Sequence, residues 1–224
     1  MMNRTKIEWT EYSWNPIVGC RHGCWYCYAR KLTQRFKKIF PNGFEPTFYP
    51  ERLKEPWELR KPSKIFVCSI ADLFAPWTPD KWRDAVLDSI FRCPIKHTFQ
   101  LLTKNPERIP DFWYPDNVWV GATVTNEGND YRNIPEMLKV KAKVRFISFE
   151  PLLNSLPPAI TLRGINWIII GKLTGSRKIK LKRKWVEDII HEAIDWDIPI
   201  FMKNNLQPVF SKEEVIQQFP KGWS

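Results

Sequence analysis

Short apolar runs alternate with amphipathic stretches along most of the chain, and this alternation limits the possible folds most. The apolar runs predict strands at residues 14–18, 64–69, 98–102, 118–124, 144–149, 167–170 and 200–203. Several of them, such as IFVCSI, VWVGATV and WIII, are almost uninterrupted, which is typical of strands covered on both faces. The pattern predicts an α/β protein built as a partial (β/α) barrel, with about six to seven parallel strands joined by crossover helices.

Apolar residues at helical spacing predict helices between these strands. The first stripe consists of Leu32, Phe36 and Ile39. The second stripe follows Thr78, a candidate N-cap, and consists of Trp82, Val86, Ile90 and Cys93. The third stripe consists of Trp185, Ile189, Ala193 and Trp196. Near the end of the chain, Ser211 and Glu214 have the spacing of a capping box and predict a last short helix.

Length and charge limit the domain count and the partners. A chain of 224 residues fits one domain, so residues 1–224 are expected to form a single partial TIM-barrel unit. The 35 Lys and Arg residues exceed the 24 Asp and Glu residues and give a net charge of +11, which favours nucleic acids or phosphorylated small molecules as partners. The sequence shows neither a membrane-spanning run nor a signal peptide, so we expect a cytoplasmic protein without a membrane partner.

Three of the five cysteines, Cys20, Cys24 and Cys27, lie in a C-x3-C-x2-C pattern directly after the first predicted strand. Clustered thiols in a reducing compartment indicate a metal or redox site. A mononuclear zinc site needs four ligands, whereas a [4Fe–4S] cluster held by three cysteines leaves one iron open. The pattern therefore favours the cluster. The alternative is structural zinc completed by His22 or Cys68, in a nucleic-acid-binding protein without catalysis.

The cysteine spacing, with aromatic Tyr26 before the third cysteine, resembles the C-x3-C-x-aromatic-C loop of radical S-adenosylmethionine (radical SAM) enzymes. More narrowly, the chain resembles the phage Gp37/Gp68 family, which is distantly similar to spore photoproduct lyase. The segments that carry this resemblance span residues 6 to 171 and read KIEWTEYSWNPIVGC, CSIADLF, HTFQLLTKNPERI, NVWVGATVTN, VRFISFEPLL and INWIIIG.

The resemblance implies that Cys20, Cys24 and Cys27 bind the cluster and that S-adenosylmethionine chelates its open iron, with Tyr26 near the adenine. An external one-electron reductant would then allow cleavage of S-adenosylmethionine to a 5′-deoxyadenosyl radical, which removes hydrogen from a substrate. The net charge, together with the similarity to a DNA-lesion lyase, favours a nucleic acid, nucleotide or base as that substrate. An open barrel mouth would admit a large substrate or a protein partner that closes it.

In (β/α) barrels the chemistry lies at the carboxyl ends of the strands, so polar residues there are candidate site residues. The candidates for cofactor binding are Ser69, Asp72, Thr123, Thr125, Asn126 and Glu150. Asp72 has an alternative role as the N-cap of the next helix, strand propensity alone explains the threonines, and Glu150 has an alternative role in a buried ion pair.

Basic residues at other strand ends extend this site. Lys104, Lys172 and Lys203 each follow a predicted strand, and their convergence would suit a phosphate or carboxylate substrate. The catalytic candidates are therefore Glu150, Lys172 and Lys203.

Two basic segments could bind phosphate groups, and the alternative is that they are simply solvent-exposed charged surface. The chain reads Gly-Lys-Leu-Thr-Gly from residue 171, where the Gp37/Gp68 family usually reads Gly-Gly-Glu-Ser-Gly. An acid-free basic segment follows, with Lys172, Arg177, Lys178, Lys180, Lys182, Arg183 and Lys184. The second basic segment follows the cysteine loop and contains Arg30, Lys31, Arg35, Lys37 and Lys38.

Overall fold

The computed structural model describes residues 2–174 and 179–222. Its strands are β1 (Asn3–Arg4), β2 (Tyr12–Trp14), β3 (Ile17–Val18), β4 (Thr47–Phe48), β5 (Lys64–Val67), β6 (Thr98–Thr103), β7 (Val118–Thr123), β8 (Val144–Phe149), β9 (Trp167–Ile170) and β10 (Ile200–Met202). Its α-helices are α1 (Tyr28–Arg35), α2 (Asp80–Phe91), α3 (Asn133–Met137) and α4 (Arg183–Asp195). Short 3-10 helices lie at Pro50–Arg52, Glu55–Glu58, Pro106–Arg108, Asp130–Arg132, Asn204–Leu206 and Lys212–Glu214.

The strand order defines the fold class. One sheet has the order β1-β2-β5-β6-β7-β8-β9-β10, and β3 pairs with β4 in a separate antiparallel ribbon. Within the large sheet, β2–β5, β5–β6, β8–β9 and β9–β10 are parallel pairs, and β1–β2 is antiparallel. This is the topology of a partial (β/α) barrel, so the predicted α/β fold class is confirmed.

The chain divides into two compact units. The first comprises Met1–Thr103 and Pro115–Trp119, and the second comprises Lys104–Tyr114 and Val120–Ser224. In the first unit, the fully buried Ile65 of β5 lies opposite Phe99 of β6. In the second, Phe146 of β8 lies opposite Trp167 of β9, with ring centroids 5.5 Å apart. Full burial of each such side chain contributes about 1.5–3 kcal/mol to the stability of its unit. The assignment of the whole chain to a single domain stays a prediction.

The predicted strand 14–18 is interrupted at residues 15 and 16. Proline has no N–H for a ladder hydrogen bond, so Pro16 separates β2 from β3. The Asn15 side chain instead accepts hydrogen bonds at Oδ1 from the Ser69 hydroxyl, at 3.1 Å, and from the Ile70 N–H, at 3.3 Å. The interruption therefore fastens the chain after β2 to the chain after β5.

Four expectations about helices were wrong, and one was confirmed. The second stripe is incomplete, because α2 ends at Phe91 and Cys93 lies beyond it. The cap of α2 is Pro79, because the hydroxyl of Thr78 donates to the Asp72 carbonyl at 2.8 Å. Since α1 ends at Arg35, Phe36 and Ile39 lie beyond it and are 44% and 58% exposed. The third stripe is also incomplete, because Trp196 lies beyond α4 and is exposed, and the buried residues of that helix are Val186, Ile189 and Ala193. The predicted capping box of Ser211 and Glu214 is present on the last 3-10 helix.

A helix that spans a bilayer must be about 20 residues long and mostly apolar. Within residues 2–174 and 179–222, no helix is both long enough and apolar enough to span a membrane.

Candidate functional site

The cysteine loop, residues 20–27, lies between β3 and α1. It directly follows Gly19, which backbone contacts hold in place. Gly19 N–H donates to the Ile70 carbonyl at 3.0 Å, and Cys20 N–H donates to the Phe44 carbonyl at 3.1 Å. Gly19 has a φ of +96°, and a Cβ there would lie 2.3 Å from the Glu45 carbonyl oxygen. Only glycine fits this close approach of two backbones.

The thiols of the loop lie in different environments. Cys27 is the N-cap residue of α1, and its Sγ accepts a hydrogen bond from Arg30 N at 3.4 Å. Burial raises the pKa of Cys20 to about 12, and the nearby Asp72, Cys24 and Cys27 side chains also raise it. The Cys20 thiolate therefore needs a positive partner, and a bound metal ion supplies one by deprotonating a coordinating thiol.

The loop has the ligand types that an iron–sulfur cluster requires, but its thiols are not arranged around a common centre. Among the residues that the structure describes, no group of three or more His, Cys, Asp or Glu side chains is arranged to hold a metal ion. All five cysteines are free thiols, and three of them lie within one eight-residue loop. Thiolates are the ligands of iron–sulfur clusters. The loop thus provides the required chemistry without a preformed coordination sphere.

A buried carboxylate ties the cysteine loop to the ends of two strands. His22 Nε2 lies 2.8 Å from Oδ2 of Asp72. Oδ1 of Asp72 accepts hydrogen bonds from the Thr103 hydroxyl at 2.7 Å and from Phe74 N at 3.1 Å. Asp72 follows β5 and Thr103 ends β6, so the carboxylate connects both strand ends to the loop. The N-cap alternative for Asp72 is wrong because α2 begins at Asp80.

Other predicted residues near the loop also have protein partners. The Ser69 hydroxyl donates to Asn15, and the Ser69 carbonyl accepts from the Tyr28 hydroxyl at 2.6 Å. The Tyr26 ring contacts Trp25 edge to face, with centroids 5.3 Å apart. Their assignment to the cofactor stays a prediction. Sequence reasoning missed Asn15 and Thr103, and the available signal was their position as polar residues at strand ends.

A cavity of about 260 Å³ lies beside Cys20. It is lined by Cys20, Arg21, Arg30, Phe44 and Glu45. Arg21 pairs with Glu45 at 2.9 Å, and the Arg30 guanidinium lies 5.4 Å from the centre of the Phe44 ring. The wall beside Cys20 is therefore both cationic and aromatic.

In the second unit, one carboxylate organises the chain after β7. Asp130 Oδ2 accepts hydrogen bonds from Thr125 N and from the Thr125 hydroxyl, both at 2.6 Å, and Oδ1 accepts from Asn126 N at 2.9 Å. The Thr123 carbonyl accepts from the Asn133 amide at 3.1 Å. Both predicted threonines thus take part in holding this segment in place, and Asp130 and Asn133 were not predicted.

Asn126 has a buried side chain of which only the amide nitrogen is paired within the part of the chain that the structure describes. Its side chain is 7% exposed, and its Nδ2 donates to the Asn154 carbonyl at 3.2 Å. Its Oδ1 has no hydrogen-bond partner among the described residues. Because an unsatisfied buried acceptor costs about 1–3 kcal/mol, a ligand hydroxyl or amino group would be favoured there. This atom fits the predicted role of Asn126 in cofactor binding.

The predicted catalytic residues Glu150 and Lys203 form an ion pair in the second unit. Their side chains are 28% and 15% exposed, respectively. Gly171 leaves room for the pair, since a Cβ there would lie 3.0 Å from Cδ of Lys203 and 3.3 Å from Cγ of Glu150. The structure therefore shows the ion-pair alternative for Glu150, while a catalytic role for either residue stays a prediction.

The backbone of Lys172 is fixed by Asn205, which sequence reasoning missed. Lys172 N donates to Asn205 Oδ1 at 3.2 Å, and Asn205 Nδ2 donates to the Lys172 carbonyl at 2.9 Å. Convergence of Lys172 with Lys104 stays a prediction, and Lys203 already has a carboxylate partner. In the basic segment, residues 175–178, with Arg177 and Lys178, lie outside the described residues.

These features define an α/β protein of partial (β/α) barrel topology, with a three-cysteine loop before α1 and polar side chains after several strands. The chain belongs to the family described as "Protein of unknown function (DUF5131)", whose model matches residues 4–215. No curated protein and no solved structure matches the chain.

Proposed function

We propose that this protein is a radical SAM enzyme that uses a [4Fe–4S] cluster and S-adenosylmethionine to abstract hydrogen from a substrate. The observation that carries the proposal is the set of three free thiols on the short loop between β3 and α1. Three thiolates can bind three irons of a [4Fe–4S] cluster and leave the fourth open to a small-molecule ligand.

Residues of this chain have separate tasks in the proposed site. Cys20, Cys24 and Cys27 would hold the cluster, and the pair of His22 and Asp72 would hold the loop in position. The chemistry that a bound, reduced cluster would supply is one electron, which would allow cleavage of S-adenosylmethionine to methionine and a 5′-deoxyadenosyl radical able to take a hydrogen atom from the substrate.

The zinc alternative needs a fourth ligand, and the surroundings of the two candidates differ. His22 Nε2 is occupied by Asp72, and Asp72 has further bonds that fix its position. Cys68 is 3% exposed, and burial raises its pKa to about 12. Completion of a zinc site by Cys68 would therefore require rearrangement of the buried chain after β5, whereas completion by His22 would use Nδ1, with Asp72 on the other ring nitrogen.

The partners and location follow from the same chemistry. The free thiols are consistent with a reducing compartment, and we propose the cytoplasm. An external one-electron reductant would be required for the cluster. The net charge of +11 supports a nucleic acid, nucleotide, base or other phosphorylated substrate.

The proposal is tested by anaerobic purification, reconstitution with iron and sulfide, and reduction with dithionite in the presence of S-adenosylmethionine. We expect a brown protein that forms 5′-deoxyadenosine. The Cys24→Ala variant should form none, whereas the Cys93→Ala variant should match the wild type, because Cys93 lies outside the loop. A colourless protein with one zinc ion per chain would overturn the proposal in favour of the zinc alternative.

A further inference from the structure

The segment that contains the cysteine loop and α1 has an unusual charge distribution. Residues 12–44 contain no Asp or Glu. They contain six Arg and Lys residues, of which five are exposed and form no ion pair with any described residue: Arg30, Lys31, Arg35, Lys37 and Lys38. The remaining one, Arg21, pairs with Glu45. This part of the first unit therefore carries positive charge that nearby acids do not balance.

The other basic helix, α4, shows that such charges can be balanced locally. Arg183 pairs with Glu187 at 2.8 Å and also with Glu214, and Lys184 pairs with Asp188 at 2.8 Å. Lysine and arginine on α4 are thus part of the surface structure of their own unit. The cations of α1 have no comparable acids within their segment, so an external anion would compensate them.

Exposed aromatic and apolar side chains lie among these cations. Tyr28, Lys31 and Arg35 share one face of α1 because their spacing is three and four residues. The opposite face packs through Ala29 against Val18, Ile70 and Phe40. We call the exposed side chains of this segment the α1 surface: Tyr28, Arg30, Lys31, Arg35, Phe36, Lys37, Lys38 and Ile39.

The aromatic groups of the α1 surface are accessible enough to stack on a ligand. Tyr28 is 54% exposed and Phe36 is 44% exposed. The Arg35 guanidinium lies 5.4 Å from the centre of the Phe36 ring. Aromatic faces among backbone-neutralising cations are the combination by which proteins bind single-stranded nucleic acids.

We infer that the α1 surface binds single-stranded nucleic acid, with the cations on phosphates and with Phe36 and Tyr28 stacked on bases. A duplex hides its base faces, so a single strand matches the exposed rings better. Lysine is depleted at protein–protein interfaces, so the presence of Lys31, Lys37 and Lys38 favours a nucleic acid over an acidic protein.

The position of this surface connects it with the cysteine loop. Cys27 caps α1, so the surface begins one residue after the third cysteine. Arg30 belongs to the surface and also lines the cavity beside Cys20. A strand on the α1 surface would therefore bring its bases to this side of the loop. That the strand is the substrate rests on the proposed function, whereas strand binding itself does not.

Binding is tested with the full chain, without S-adenosylmethionine, by fluorescence anisotropy of a labelled 20-nucleotide single strand over a range of salt concentrations. The triple variant Lys31→Gln, Lys37→Gln and Lys38→Gln should bind roughly tenfold to a hundredfold more weakly at 0.1 M salt, with a salt slope about 2 units less steep.

The matched control is the triple variant Lys139→Gln, Lys141→Gln and Lys221→Gln. It removes the same number of positive charges, but from lysines paired with Glu136, Asp111 and Asp197. It should bind the strand like the wild type, because these lysines lie outside the α1 surface.

Stacking is tested by Phe36→Ala, which should weaken binding about tenfold. Phe91→Ala is its control, because Phe91 on α2 has nearly the same exposure, 42%. An equal effect of both variants, or equal binding of a duplex of the same sequence, would overturn the stacking of a single strand on this surface.

Absent strand binding, or equal losses in the two triple variants, would also overturn the inference. Binding of an acidic electron-carrier protein in place of the strand would assign the α1 surface to protein docking and would equally overturn it. Failure of the proposed function is separate, since strand binding without 5′-deoxyadenosine formation leaves this inference standing.

Discussion

The cysteine loop of the first unit and the strand ends of the second unit differ in how far the protein itself completes them. The cysteine loop is held in place by backbone hydrogen bonds and by the contact between His22 and Asp72, yet its three thiols do not form a coordination sphere. After β7, β8 and β10, the side chains of Asp130, Glu150 and Lys203 already bond to their own unit, and Asn126 Oδ1 is buried without a hydrogen-bond partner among the described residues. Under the proposed function the loop would be completed by a bound cluster, whereas the strand ends are already held by contacts within the protein.

The largest expected effect tests whether a cluster completes the loop. Replacement of Cys20, Cys24 or Cys27 by alanine should abolish cluster assembly, because each thiolate would bind one iron. Iron and sulfide should fall to background in the purified, reconstituted variants. Cys93→Ala should retain the wild-type content. A full iron complement in any of the three loop variants would refute the ligand assignment.

A smaller effect is expected where backbone contacts hold the loop. Gly19→Ala should lower the free energy of unfolding by about 3 kcal/mol or more, because its Cβ would collide with the Glu45 carbonyl at positive φ. Gly43 also has positive φ, but a Cβ there meets no atom within 4 Å, so Gly43→Ala should cost only about 1 kcal/mol. Chemical denaturation measures both values, and equal losses would show that the close approach at Gly19 is unimportant.

At the strand ends of the second unit, removal of the Lys203 charge should destabilise the protein, because the Glu150 carboxylate then lacks its partner. Lys203→Met leaves Glu150 without its partner and should lower the free energy of unfolding by about 2–3 kcal/mol. The double variant Lys203→Met and Glu150→Met should recover part of that loss, since no lone charge remains. If the double variant loses as much as the sum of the two single variants, the pair does not couple energetically.

The smallest effect concerns a surface ion pair of the second unit. The hydrogen bond from Arg183 lowers the pKa of Glu214 from 4.5 to about 2. Because the folded-state pKa is the lower one, the contribution of Glu214 to stability is present above pH 4.5 and is lost as the pH falls toward 2. Thermal unfolding should therefore show Glu214→Gln less stable than the wild type at pH 6, with the difference vanishing near pH 2. A difference independent of pH would contradict this.

The strands could be predicted because their local composition already reflects burial on both faces. Every residue of β7 and β9 is buried, so their apolar runs left little ambiguity. The stripe of Leu32, Phe36 and Ile39 failed because helical spacing does not indicate where a helix ends. In the same way, the hydroxyl of Thr78 was captured by the Asp72 carbonyl, a contact that local spacing does not reveal.

The site was only partly predictable for a related reason. The cysteine spacing is local and therefore visible in the sequence, but the partners of its neighbours are distant along the chain. His22 and Asp72 are 50 residues apart, and Glu150 and Lys203 are 53 residues apart. A single sequence identifies such polar residues as strand-end candidates without showing which of them bond to each other.

In the proposed function, the cysteine loop holds a [4Fe–4S] cluster with one iron open to S-adenosylmethionine. The most direct test of this proposal is the electron paramagnetic resonance spectrum of the reconstituted, dithionite-reduced protein, recorded with and without S-adenosylmethionine. We expect a reduced [4Fe–4S] signal that changes when S-adenosylmethionine is added and is absent from the Cys24→Ala variant. A cluster signal that S-adenosylmethionine leaves unchanged, or a colourless protein that contains zinc, would contradict it.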